Sequence, residues 1–118
     1  MRKFATGSIV VVALLEWALA WLAMASWQNQ GASLIGFGPS DALTATTPAL
    51  NIGFMHFLLG AALLAALVYS SRNTVRVLLM MTIATGVMAG FTLAPIFFAV
   101  QAAPAFVSWV LVRMTSPA

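Results

Sequence analysis

Four long apolar runs, 7–27, 50–70, 75–93 and 95–112, are separated by one long connection, 28–49, and two short breaks, and this alternation is the dominant pattern of the chain. A helix needs about 20 mostly apolar residues to cross roughly 30 Å of hydrocarbon, and the four runs meet or approach that length. The pattern therefore predicts an all-α fold, an integral membrane four-helix bundle built as one transmembrane domain over residues 1–118. The last boundary admits two readings. Thr92, Leu93, Ala94 and Pro95 suit a tight turn, with Pro95 in the first turn of a fourth span, where its missing N–H does no harm. Alternatively, helix three continues through a kink at Pro95 to about Val100 and breaks near Pro104, giving three spans plus an interfacial C-terminal helix.

Helical spacing assigns faces within each run. Ala13, Glu16, Ala20 and Ala23 share one face of the first span, beside a bulky face of Trp17, Trp21 and Met24. The second aligns Gly53, His56, Gly60 and Leu64. The third aligns Thr82, Gly86, Ala89 and Gly90, including the small-xxx-small pair Gly86 and Gly90 that lets backbones approach closely. The fourth aligns Gln101, Pro104, Ala105 and Ser108. Each span thus has one small or polar face and one greasy face, which predicts a bundle with the small faces inward.

Composition agrees with the pattern. Hydrophobic residues make up 63% of the chain and charged ones 6%, against about 25% charged in a typical soluble domain. There is no cysteine, so disulfides, thiolate metal sites and thiol chemistry are excluded. The net charge of +3 is no nucleic-acid signal, because the basic residues flank the apolar runs. Arg2 and Lys3 precede the first, Arg72 and Arg76 flank the second junction, and Arg113 closes the fourth, whereas the 28–49 connection carries no Lys or Arg. The positive-inside rule then predicts both termini in the cytoplasm and 28–49 outside, with Ser40 and Asp41 capping a short surface helix. Arg2 and Lys3, an apolar core and the small-x-small triplet Ala23, Met24, Ala25 have the form of a secretory signal. The run is longer than a signal core and carries Glu16, so it reads as an uncleaved first span.

Candidate chemistry rests on few residues. A carboxylate at bilayer depth costs at least about 2.5 kcal/mol, so Glu16 is expected either to be hydrogen-bonded to another helix or subunit or to handle a proton or cation. His56 is read as a hydrogen-bonded packing residue or as an axial ligand to a haem or chlorophyll-type pigment, for which Gly53 and Gly60 would leave space. At 1.5 Å per residue, His56 and Gln101 each lie about 9 Å below the outer end of their spans and Glu16 about 16 Å below its own. His56 and Gln101 are thus expected as neighbours, and a Glu16 to His56 contact through water rather than directly. Trp17 and Trp21 are deep enough to pack against another subunit, a pigment or lipid, while Trp27 and Trp109 fit interfacial anchoring. No metal site, triad or phosphate loop has positional support, so no enzyme activity is expected.

The stretch Ala13, Leu14, Leu15, Glu16 resembles the first span of the small multidrug resistance transporters, which implies a glutamate that exchanges protons for cationic drugs. The chain differs from them in its 22-residue first connection and one-sided basic residues. In layout it is similar to DoxX-like small four-helix membrane proteins, through the long first loop with Gly36, Phe37, Gly38 and Pro39, the second span from Gly53 through His56 to Gly60, and Arg72 and Arg76 after it. That similarity implies a tie to membrane redox systems. The expectation is a noncatalytic accessory or structural subunit of a larger respiratory or photosynthetic membrane complex, multi-pass in a bacterial inner membrane. Its expected partners are membrane lipids and other transmembrane subunits, with no nucleic acid; quinone, haem or pigment are the cofactors it would touch. The alternative is a small oligomeric proton-coupled transporter using Glu16.

Overall fold

A computed structural model describes residues 2–69 and 71–115; Ser70, where the second apolar run ends, lies outside them. The chain forms α1 (Arg2–Met24), a π-helical turn (Trp27–Gly31), α2 (Ala32–Leu34), α3 (Pro39–Thr44), α4 (Thr46–Tyr69), α5 (Arg72–Thr92), a second π-helical segment (Phe98–Ala102) and α6 (Ala103–Met114). Among the described residues there is no strand, and the protein is an all-α helical bundle.

Helices run past the apolar stretches that announce them. α1 begins at Arg2 rather than near Gly7, and α4 at Thr46 rather than Leu50. Pro48 sits in the first turn of α4, where a missing N–H leaves no bond unmade. The outer connection is not a plain loop. The buried Gly31 lies against the Leu22 carbonyl, where a Cβ would collide with backbone. Gly38 in extended conformation then leads into α3 with Pro39 in its first turn and no side-chain cap, so Ser40 does not play the capping part expected of it.

Between α5 and α6 the chain reverses at 93–95. Both Leu93 and Ala94 donate to the Ala89 carbonyl, at 2.8 and 3.1 Å, closing α5. Helix then resumes and passes through Pro104 without breaking, so the reading with helix three extended to Val100 and a break near Pro104 is not what forms. The reason is the π-helical segment. The ring of Pro104 would press on the carbonyl four residues earlier, and a widened turn just before it, with Ala103 N–H bonding Phe98 O, relieves that clash.

α1 packs most extensively on α4 and also meets α6; α5 meets α4, the second π segment and α6. The long helices therefore stand in a ring in the order α4, α1, α6, α5. Ile9, Val12, Ala13, Leu63, Ala66, Val75, Leu79, Ala105 and Val112, drawn from all four of these helices, form the buried apolar core in the half of the bundle nearer the basic residues. α1, α4 and α5 are long and apolar enough to cross a membrane, and Phe98–Met114 is a shorter apolar helix. The basic residues lie at one end, where Arg72 Nη1 donates to the Thr115 carbonyl at 2.8 Å; Asp41 in α3 lies at the other.

Candidate functional site

Above the apolar core, polar side chains enter the bundle interior. Glu16 is 1% exposed, and its Oε2 lies 2.6 Å from Nδ1 of His56, whose side chain is 14% exposed. This direct bond corrects the expectation of a water bridge. The error came from the helix ends: α1 stops at Met24 and α4 starts at Thr46, which places Glu16 about 12 Å and His56 about 15 Å from the same end of the bundle, not at different depths.

The register that aligns them is set by glycines. A Cβ at Gly60 would come within 2.6 Å of Trp17 Cδ1 and 3.0 Å of the Ala13 carbonyl, and one at Gly53 would collide with Met24 and lie 3.0 Å from Ala23 Cβ. The two contacts bracket the pair along an antiparallel seam. Trp17 Nε1 donates to the Phe57 carbonyl at 3.1 Å, and its ring stacks on Phe57, which in turn stacks on Phe54. Trp17 is thus bonded and stacked within its own chain, and Trp21 stays 55% exposed.

The same packing bears on a haem or pigment at His56. Nδ1 is taken by Glu16, and the room that Gly53 and Gly60 would leave is filled by α1. Among the described residues no three His, Cys, Asp or Glu cluster as a metal site.

Gln101 is 2% exposed and bonds α5, not His56: its Nε2 donates to Thr85 Oγ1 at 3.1 Å, and Thr85 Oγ1 donates to the Thr82 carbonyl at 3.1 Å. The ring order explains this, since the segment bearing Gln101 sits beside α5 and α1 while α4 stands across the bundle. Gln101 Oε1 is buried without a protein partner among the described residues, as are Ser108 Oγ and Trp109 Nε1. The small face of α5 is occupied too: a Cβ on Gly86 would lie 2.6 Å from Ala102 N, and one on Gly90 2.6 Å from the Phe98 ring. Thr85 and Phe98 are the participants that sequence reading missed. Thr85 is three residues after Thr82 and would have been found by extending that face. At the ends, Trp27 Nε1 donates to the Ala42 carbonyl at 2.8 Å, and Arg113 lies 5.1 Å over the Trp109 ring.

Chemically, the Glu16–His56 pair can hold one shared proton, gain a second or lose the first. Only the one-proton forms carry no net charge, so exchange with either outcome places a charge in the buried interior of the bundle. No curated protein and no solved structure matches the chain. The family model described as protein of unknown function DUF1304 matches residues 10–113, a stretch holding Glu16, His56, Gln101 and all the interhelical glycines, so this membrane-type helical bundle belongs to the DUF1304 family.

Proposed function

We propose that the protein handles protons within the membrane, with the Glu16–His56 pair as the proton site and the α1–α4 seam as the element that responds. The observation that carries this reading is the 2.6 Å bond between two ionisable side chains of one chain, one of them 1% exposed. Glu16 has its partner within the chain, which removes the need for a second subunit to satisfy it. A structural hydrogen bond across a helix seam is served as well by an amide or hydroxyl, whereas two titratable groups at bilayer depth mark proton relays and ion paths. Gln101 Oε1, a buried acceptor with no protein donor among the described residues, stands on a segment packed against α1 and adds a polar group to the interior. The proposed topology has four crossings in a bacterial inner membrane with both termini cytoplasmic, supported by the basic residues at one end.

The test is infrared difference spectroscopy on the reconstituted protein as pH is stepped, together with dye-reported proton flux in the same liposomes. The expected result is a carboxyl band that titrates in the wild type, vanishes in Glu16→Gln and shifts in His56→Gln, with proton flux lost in both. A band unchanged by Glu16→Gln, or flux equal to wild type in both variants, would refute the reading.

A second reading, the noncatalytic accessory subunit of a larger respiratory or photosynthetic complex, is favoured by a different observation. Phe54, Met55, Phe57 and Leu58 are each 45–64% exposed on α4, beside the exposed Trp21 and Met24 of α1, and such a ridge suits lateral contact with another transmembrane helix as well as with lipid. Purification from native membranes in mild detergent separates the two: a stoichiometric large partner supports the second reading.

A further inference from the structure

At the basic end α1, α4, α5 and α6 line a half-open cavity of about 160 Å³, several times what one water needs. Its lining is mixed: Ile9, Leu67, Val75 and Val112 give it an apolar side from α1, α4, α5 and α6 in turn, and Arg2, Thr6, Arg72 and Thr115 a polar one. We propose that this cavity seats the phosphate of an anionic glycerophospholipid, with Arg2 and Arg72 as its cationic clamp.

Charge comes first. The chain has only two acids, Glu16 and Asp41; the first is bonded to His56 and the second lies in α3 at the opposite end. No Asp or Glu side chain is left to neutralise the arginines of this end, and among the described residues neither Arg2 nor Arg72 is in an ion pair. Among the described residues no anionic group faces these two arginines, which leaves a place for an anion beside them. Arg72 uses one N–H on the Thr115 carbonyl, which keeps that oxygen from repelling an anion and fixes the guanidinium at the cavity, with its other donors still to place. α1 starts at Arg2 and α5 at Arg72, so the free amides of two helix N-termini add positive potential at the same level.

The apolar walls choose among phosphates. A free phosphate would be solvated on its open side and gain nothing from Ile9, Leu67, Val75 and Val112. A lipid phosphate sits at the headgroup level, where flanking basic residues lie, and brings a glycerol ester and acyl carbons for those walls. Basic pockets between transmembrane helices bind anionic headgroups on these grounds.

The experiment is native mass spectrometry of the full chain taken from nanodiscs with equal phosphatidylglycerol and phosphatidylcholine, counting the lipid retained. Phosphatidylglycerol is expected to be kept over phosphatidylcholine. Arg2→Gln, which touches only the rim, should weaken retention about fivefold and the Arg2→Gln/Arg72→Gln pair about thirtyfold, at the usual worth of a basic residue near anionic lipid. Arg113→Gln, at the same end but outside the cavity lining, should leave retention unchanged. Circular dichroism checks that each variant stays helical. Equal loss in Arg113→Gln and Arg2→Gln would mean a diffuse basic surface and overturn the proposal. So would equal retention of the two lipids, or displacement of the lipid by millimolar inorganic phosphate.

Discussion

Gly86→Ala should destabilise the bundle while Gly7→Ala does not, although both add one methyl to a helix. At Gly86 the new Cβ would lie 2.6 Å from Ala102 N, 3.0 Å from its Cα and 3.1 Å from its Cβ, where 3.4–4 Å is ordinary contact. Two of these atoms are backbone and no rotamer change clears them, so α5 and the second π segment must part by most of an ångström. Overpacking of this kind costs about 1–3 kcal/mol, against a helix-propensity gain for alanine of about 0.5–1 kcal/mol. The net expectation is a loss of about 1–2 kcal/mol. At Gly7 nothing lies within 4 Å of the added Cβ, so only the propensity gain remains, and the two variants should differ by about 2 kcal/mol. Reversible unfolding in mixed micelles, followed by circular dichroism as denaturing detergent is titrated, measures both. Gly86→Ala at or above wild-type stability would mean that α5 and the second π segment do not meet as described.

A double-mutant cycle with Glu16→Leu and His56→Leu should give a coupling of about 1 kcal/mol, with His56→Leu alone the worst of the three because it strands a buried carboxyl; additivity would show that the pair does not form. Trp17→Phe keeps the stack on Phe57 but removes the bond to its carbonyl, an expected loss of about 0.6 kcal/mol measurable in the same titration, and a larger loss would mean that the ring itself shifts. Reporter fusions at Gly38 and after Thr115 should give opposite signals, and matching signals would eliminate the four-crossing topology.

Much of the fold was legible in the sequence because a bilayer leaves few choices: apolar runs of this length become helices, and basic residues gather at one end. The inward faces could also be read, since Gly53, Gly60, Gly86 and Gly90 are small for a reason that spacing alone exposes, and each meets a neighbouring element. Helix ends could not. Hydropathy marks where residues are greasy, whereas α4 starts in polar sequence at Thr46 and α1 stops at Met24, short of the end of its apolar run. That discrepancy of a few residues at Met24 and Thr46 separated Glu16 from His56 on paper and joins them in the fold. Ring order was equally hidden, because a pattern of faces does not say which helix stands across the bundle, and so Gln101 was matched with His56 rather than Thr85.

The position of the pair along α1 and α4 bears on what a proton would do there. Hydrogen bonds between membrane helices average about 0.6 kcal/mol, too little for this one to hold the seam shut. The seam is closed by its glycine contacts, Gly60 beneath Trp17 and Ala13 and Gly53 against Ala20, Ala23 and Met24, and these leave no slack on either side of Glu16. A side chain that gains or loses charge in such a place has little freedom to turn away from its partner without moving Trp17, whose indole N–H is tied to the carbonyl of the residue after His56. Under the proposed reading, a change of protonation is therefore felt first as a shift of Trp17 against Phe57 at the α1–α4 surface. In a background with Trp21, Trp27 and Trp109 replaced by phenylalanine, so that Trp17 reports alone, its fluorescence should change with pH while Glu16 is present and lose that dependence in Glu16→Gln.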